Sequence, residues 1–291
     1  MLDLTSKNTA FSQSGTLQCG DKLLSLEQPV VMGILNITPD SFYDGGHITN
    51  VEAAVKRAGQ MISEGASIID IGAVSTRPGA TYVPENEETD RLLPVLKALT
   101  AAFAGTIISV DTYRASVAAA AVANGAGIVN DISGGELDNE MFKTMARLRA
   151  AYVLMHMKGT PANMQANPQY ADVTAEVFEY LNNKVSILRN NGIENIIIDP
   201  GFGFGKTIEH NYRLLQNLDR FKELQAPILA GVSRKSMIYK LLNIDAHAAL
   251  NGTSVVNTLA LLKGAKILRV HDVKEAVQTI RIVKEYLLAG N

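Results

Sequence analysis

The sequence predicts an α/β architecture, a (β/α)8 TIM barrel preceded by a short N-terminal β-hairpin. Three observations predict it. Eight short apolar runs alternate with helical stretches along 291 residues, with no low-complexity tract between them. The runs lack the alternation of half-exposed strands, which fits parallel strands buried on both faces. Nearly every run ends in a polar or charged residue, and in a parallel barrel those ends gather on one rim.

Residues 16–26 read as two short strands about Gly20-Asp21, a hairpin placed to plug one end of a barrel. The barrel is expected over about 30–288 as one domain, with strands at 30–35, 67–72, 106–110, 127–129, 151–155, 195–198, 227–232 and 266–270. Helical periodicity is clearest at 51–64, 85–103, 116–124, 171–191, 208–221 and 273–288, which supply the right-handed crossovers between parallel strands.

Hydrophobic residues make up 47% of the chain and charged residues 19%, the balance of a globular protein. The net charge of −2 gives no excess of cations for a nucleic-acid backbone or an anionic membrane, so no such partner is expected. Residues 1–14 are polar and do not form a secretory leader, and no apolar run reaches the roughly 20 residues of a membrane span. One cysteine, Cys19, cannot form an internal disulfide and is read as structural. A soluble, cytoplasmic enzyme is expected.

The run ends carry Asn36, Asp111, Asn130 with Asp131, His156, Asp199, Ser233 to Lys235, and Arg269 with His271. Asp111, Asn130 and Asp199 together offer acceptors and one amide donor, which suits a heterocycle with neighbouring N–H donors beside a carbonyl, such as pterin. Helix capping is the plain alternative for each Asp. Arg234, Lys235, Arg269 and His271 follow runs seven and eight, where α/β barrels frequently bind phosphate. Gly201-Phe202-Gly203-Phe204-Gly205-Lys206-Thr207 resembles a phosphate loop, but Pro200 stands where a Walker A loop needs glycine. Its glycines are read as allowing a tight turn and a close approach to a flat ligand. His156 is assigned no catalytic role, and His47, His210 and His247 have no partner at metal spacing.

Several motifs carry a family resemblance. Asn36-Ile37-Thr38-Pro39-Asp40-Ser41-Phe42-Tyr43-Asp44-Gly45-Gly46 and Ser75-Thr76-Arg77-Pro78-Gly79-Ala80 closely resemble two active-site loops of dihydropteroate synthases. Agreement continues through Ser109-Val110-Asp111-Thr112, Asn130-Asp131-Ile132-Ser133-Gly134-Gly135, Asp199 to Lys206, Ser233-Arg234-Lys235-Ser236 and Arg269-Val270-His271-Asp272-Val273. Ala73-Val74 departs from the Gly-Glu that many members carry there.

The resemblance implies a homodimer that condenses a dihydropterin diphosphate with 4-aminobenzoate, using Mg²⁺. It implies Asp111, Asn130, Asp199 and Lys235 as the pterin site, with Phe204 near the ring and the aminobenzoate. Asn36 is implied as the magnesium contact, and Thr76, Arg269, Val270 and His271 as contacts to substrate or diphosphate. Asp44, Arg77 and Ser236 resemble the mobile-loop and aminobenzoate positions, with Asp44, Arg77 and Lys235 in the catalytic set. A methyltetrahydrofolate-dependent methyltransferase domain and a catalytically silent pterin-binding homologue are the competing expectations.

Overall fold

The computed structural model describes residues 15–37, 49–75, 82–160 and 163–290. β1 (Thr16–Cys19) and β2 (Lys22–Ser25) pair antiparallel across a turn at Gly20, whose φ of +64° lies in the left-handed region that glycine enters without strain. Eight parallel strands then close into a barrel. They are β3 (Val30–Asn36), β4 (Ile68–Gly72), β5 (Ile107–Asp111), β6 (Ile128–Asp131), β7 (Ala151–Met155), β8 (Ile196–Asp199), β9 (Ile228–Ala230) and β10 (Ala265–Val270), with β10 pairing to β3.

Outside the strands lie α1 (Thr49–Glu64), α2 (Glu85–Ala102), α3 (Ala115–Ala123), α4 (Met141–Met145), α5 (Val173–Asn190), α6 (Ile208–Gln216), α7 (Ser236–Leu242), α8 (Leu250–Leu262) and α9 (Val273–Leu288). α5 shows how sequence becomes element. The Asp172 carboxylate caps its first turn by accepting from the Thr174 and Ala175 N–H groups, and Val177, Leu181, Val185 and Leu188 recur at helical spacing on the buried face.

Three helices escape a periodicity reading. α4 has five residues, too few for a period, and α7 only seven. In α8, Val255, Val256, Leu259, Ala260, Leu261 and Leu262 spread apolar groups around most of the circumference, which blurs the stripe. The single helix expected over 208–221 is two pieces: α6 ends at Gln216 and a tighter 3₁₀ segment, Leu218–Leu224, follows. Asn217, at the join, turns its side-chain amide back to the Arg213 carbonyl and helps close α6.

Two apolar cores result. The outer one lies between strands and helices. The inner one fills the N-terminal part of the barrel with Met32, Ile68, Ile107, Ile128, Val153, Ile197, Leu229 and Ile267. Leu17, Cys19, Leu24 and Leu26 of the hairpin join that inner cluster, so the hairpin does plug the barrel's N-terminal end. Cys19 is buried there, and burial pushes its thiol up to about 12, which makes it a small apolar wedge and no nucleophile.

Candidate active site

Strand side chains alternate, so the residue two positions beyond an inward apolar residue also faces the interior. One such step converts the barrel lining from apolar to polar: Ile68 to Asp70, Ile107 to Ser109 and then Asp111, Ile128 to Asn130, Ile197 to Asp199, Ile267 to Arg269. The C-terminal half of the interior is therefore a ring of charged and amide groups sealed from below.

Arg269 organises one side of that ring. Its Nε donates to Asp70 at 2.7 Å and one terminal nitrogen donates to Asp111 at 2.8 Å. Asn130 Nδ2 donates to the same Asp70 oxygen at 3.1 Å, which uses one of its two N–H donors and fixes the amide with its carbonyl oxygen free to accept from a ligand. Burial raises Asp111 to about 7 even though Arg269 pulls it down, and the Asp70, Glu88 and Asp131 charges add to the rise.

Asp70 did not figure among the sequence candidates. Its signal was present: one carboxylate inside the otherwise apolar run Ile68-Ile69-Asp70-Ile71-Gly72. Its second oxygen and the Ser109 hydroxyl, on paired residues of β4 and β5, are buried without a partner among the described residues.

The opposite side is built by Asp199, Lys235 and the glycine-rich loop. Asp199 accepts from the Gly201 N–H at 2.7 Å, and Lys235 Nζ donates to the Phe202 carbonyl and lies 4.6 Å from the centre of the Phe204 ring. A Cβ on Gly231 would stand 3.7 Å from Asp199 and 3.8 Å from Lys235 Nζ, so the glycine keeps the space beside both groups open. Burial lowers Lys235 to about 8, against the Asp199 charge that favours the ammonium. Burial likewise raises Asp199, with Lys235 opposing.

Three acceptors, Asp111, the Asn130 oxygen and Asp199, thus meet two cations, Lys235 and Arg269, in one concave site. Such a lining fits a flat heterocycle that presents several N–H donors along one edge and a carbonyl on another.

A family model described as pterin binding enzyme matches residues 32–271. Over 268 residues the chain is 45% identical to the dihydropteroate synthase of Escherichia coli (strain K12), covering 91% of this chain and 94% of that one. The chain belongs to the dihydropteroate synthase family. Among solved members, the Yersinia pestis synthase bound to a sulfonamide drug is 41% identical with a TM-score of 0.88, covering 93% and 98% of the two chains. The Xanthomonas albilineans synthase in complex with 7,8-dihydropteroate is 39% identical with a TM-score of 0.84 over the same shares.

The remaining synthase-motif residues separate into several groups. His271 sits at the rim with Nδ1 3.0 Å from the Ser233 hydroxyl. Ser236 opens α7, half-buried. The Val270 side chain belongs to the outer core, facing away from the interior, so only its backbone borders the site. Arg234 is neither free nor directed at the ring. Its guanidinium forms two bonds to Asp272, at 2.9 and 2.6 Å, tying the loop after β9 to the start of α9. Asp44, Thr76 and Arg77 lie outside the described residues. A separate open cavity of about 580 Å³ lies behind the ring, between the loops after β6 and β7 and α5. None of the residues that hold the acceptor row or its two cations lines it, so it is not the pterin site.

Proposed function

We propose that this site joins the diphosphate of 6-hydroxymethyl-7,8-dihydropterin to 4-aminobenzoate, forming 7,8-dihydropteroate and pyrophosphate. The observation that carries the reading is the row of acceptors facing Lys235 and Arg269. A pterin's adjacent N–H donors match Asp199, the Asn130 oxygen and Asp111, and its ring carbonyl matches the Lys235 ammonium.

The reaction breaks the bond between the pterin methylene carbon and the diphosphate oxygen, which leaves with the electron pair. The arylamine lone pair closes the new C–N bond and the nitrogen then sheds a proton. An arylamine is uncharged near neutral pH, so no strong base or nucleophile is required. Its own task is electrostatic: cations at fixed positions near the departing diphosphate, in a pocket where charge is poorly screened. His271 at the rim, with its ring held by Ser233, is placed to donate to that group.

Magnesium is part of the reading. No cluster of three or more His, Cys, Asp or Glu side chains among the described residues could hold a metal ion, so protein ligands would be few. Asn36, Gly72 and Asp111 stand in one register row, and the missing Cβ of Gly72 leaves open the space between the Asn36 oxygen and the Asp111 carboxylate. That suits a hard cation with one protein oxygen and substrate phosphate oxygens, and such an ion neutralises the leaving group when bound.

A homodimer is also part of it. Val255, Leu259 and Leu262 expose one apolar stripe on α8, while Ile282 and Tyr286 on the neighbouring α9 are 70% and 68% exposed. Self-association of this face would bury the stripe. No described helix is long and apolar enough to cross a membrane. A free buried thiol suits the reducing cytoplasm, where we place the enzyme.

The test is release of pyrophosphate from the dihydropterin diphosphate in the presence of 4-aminobenzoate and Mg²⁺. A folded protein that binds pterin but releases none would be the silent homologue, and sedimentation of Leu259→Arg as a monomer would support the dimer face.

A further inference from the structure

Lys206 is a buried charge-bearing group near the site with no part in the chemistry above. It is 3% exposed, and its Nζ meets four acceptors: the Gly201 carbonyl at 2.9 Å, the Phe204 carbonyl at 3.0 Å, His156 Nδ1 at 2.9 Å and, more weakly, the His156 carbonyl at 3.4 Å. Two loops are thereby joined, the one after β7 carrying His156 and the one after β8 carrying Gly201 to Gly205. Burial lowers Lys206 and brings His156 down to about 2, so the imidazole is neutral and the pair holds at most one positive charge.

The backbone explains why the lysine is needed. Gly201, Gly203 and Gly205 have φ of +71°, +81° and +62°, and a Cβ on Gly201 or Gly205 would overlap the His156 or Lys158 carbonyl oxygen. Such a chain turns its carbonyls away from any regular ladder, and each must find a partner. The partners are mostly side chains: Lys206 takes the carbonyl of 204 and shares that of 201 with the Phe204 N–H, Lys235 takes that of Phe202, Gln165 that of Gly203 at 2.6 Å, and Tyr170 that of Gly205 at 2.9 Å. Lys206 therefore grips the loop from behind on either side of the carbonyl that Lys235 grips from the front. Phe204, held by its carbonyl, is the residue whose ring covers the Lys235 ammonium.

We infer that Lys206, seated against His156, is a positioning residue of the substrate site, fixing the glycine loop so that Phe204 and Lys235 are presented to the pterin. The inference rests on the proposed function for its ligand but not for its geometry, and the experiment separates the two. Three variants are compared: Lys206→Met, which keeps the length and removes the bonds; His156→Leu, which removes the ring acceptor and leaves only the backbone carbonyl of residue 156 at 3.4 Å; and His156→Asn, whose side-chain oxygen can replace Nδ1.

In ligand-free protein, hydrogen exchange at the amides of Gly201, Gly203 and Phe204, which bond to Asp199, Asn211 and Gly201, is expected to quicken about tenfold or more in the first two variants and little in the third. With substrate, KM for the pterin diphosphate is expected to rise about tenfold in the first two, while His156→Asn stays within about threefold of the parent. A role in stability alone would lower the active fraction and kcat with KM unchanged. Unaltered exchange in folded Lys206→Met, or equal behaviour of His156→Leu and His156→Asn, overturns the inference. Altered exchange in a protein that shows no pterin turnover would leave Lys206 in place and remove the proposed function. If Lys206→Met does not fold, the two His156 variants decide.

Discussion

The two halves of the barrel interior differ by one two-residue step along most of the same strands, and by two along β5. Below it, Ile68, Ile107, Ile128, Ile197 and Ile267 interlock as an apolar plug capped by the hairpin. Above it, Asp70, Asp111, Asn130, Asp199 and Arg269 face each other across the same axis. The lower layer stabilises through contact and exclusion of water, and any well-packed apolar set of equal volume would serve. The upper layer carries buried charges whose desolvation must be offset by specific partners, so each residue depends on the others. Function is placed where packing alone would have been the more stable choice.

The comparison breaks most visibly at Arg269. Arg269→Met leaves the Asp70 and Asp111 carboxylates facing each other with no cation between them. Removing one partner of a buried pair costs about 3–5 kcal/mol, and the loss here is expected near that range by chemical denaturation. Pterin affinity should fall about a hundredfold or more, since two charge-assisted anchors are released together. A variant as stable as the parent would show that the two carboxylates had been protonated at little cost, and the upper layer would then be less interdependent than argued.

A step down in effect is Asp199→Asn. The Gly201 N–H keeps an acceptor, so the fold is expected to hold. On the ligand side an amide donor now meets a ligand donor, and titration with an unreactive pterin should show binding weaker by about tenfold or more. Unchanged affinity would reduce Asp199 to a loop anchor.

Lys235 gives a pH test of the same layer. Its ordinary pKa of 10.5 falls to about 8 through burial, opposed by Asp199. The ammonium is the form that faces a ring carbonyl, so the Lys235 contribution to pterin affinity should be full below about pH 8 and decline as pH rises through it. Stability of the ligand-free protein should move the other way. Between about 8 and 10.5 the unfolded chain still holds a proton that the folded chain has lost, so unfolding becomes harder as pH rises. Lys235→Met should flatten both trends. A fall in affinity that persists in Lys235→Met belongs to another group.

Which parts of this were legible in the sequence follows from how local the signal is. Eight strands showed because parallel strands buried on both faces are written as uninterrupted apolar runs, and the rim showed because those runs end in Asn36, Asp111, Asp199 and Arg269. Asp70 was lost because it lies inside its run, where a carboxylate interrupts the pattern without ending it. The glycine loop was correctly set apart from a Walker loop by Pro200. The partner of its lysine, His156, lies 50 residues earlier and no spacing rule connects them. Arg234 stood with the cations placed for phosphate after run seven, and the fold instead brings Asp272 against it. In each miss the deciding contact joins residues far apart in the sequence that only barrel closure brings together.

The smallest expected effect tests the silent half. Ile197 is fully buried in the lower layer, two residues before Asp199 on β8. Ile197→Val removes one methyl group and leaves a void that neighbours from other strands can only partly fill. The cost is about 0.5–1.5 kcal/mol, which in a chain of this size lowers Tm by roughly 1–6 °C. Side chains at 197 and 199 point inward from the same strand but share no hydrogen bond, and the backbone of β8 stays fixed by its pairing with β7. Pterin affinity and KM should therefore stay within about twofold of the parent, under about 0.4 kcal/mol. Equilibrium unfolding and pterin titration on the same preparation measure both. A loss of affinity larger than the loss of stability would mean that the methyl group of Ile197 sets the height of Asp199, and the two layers would have to be treated as one mechanical unit.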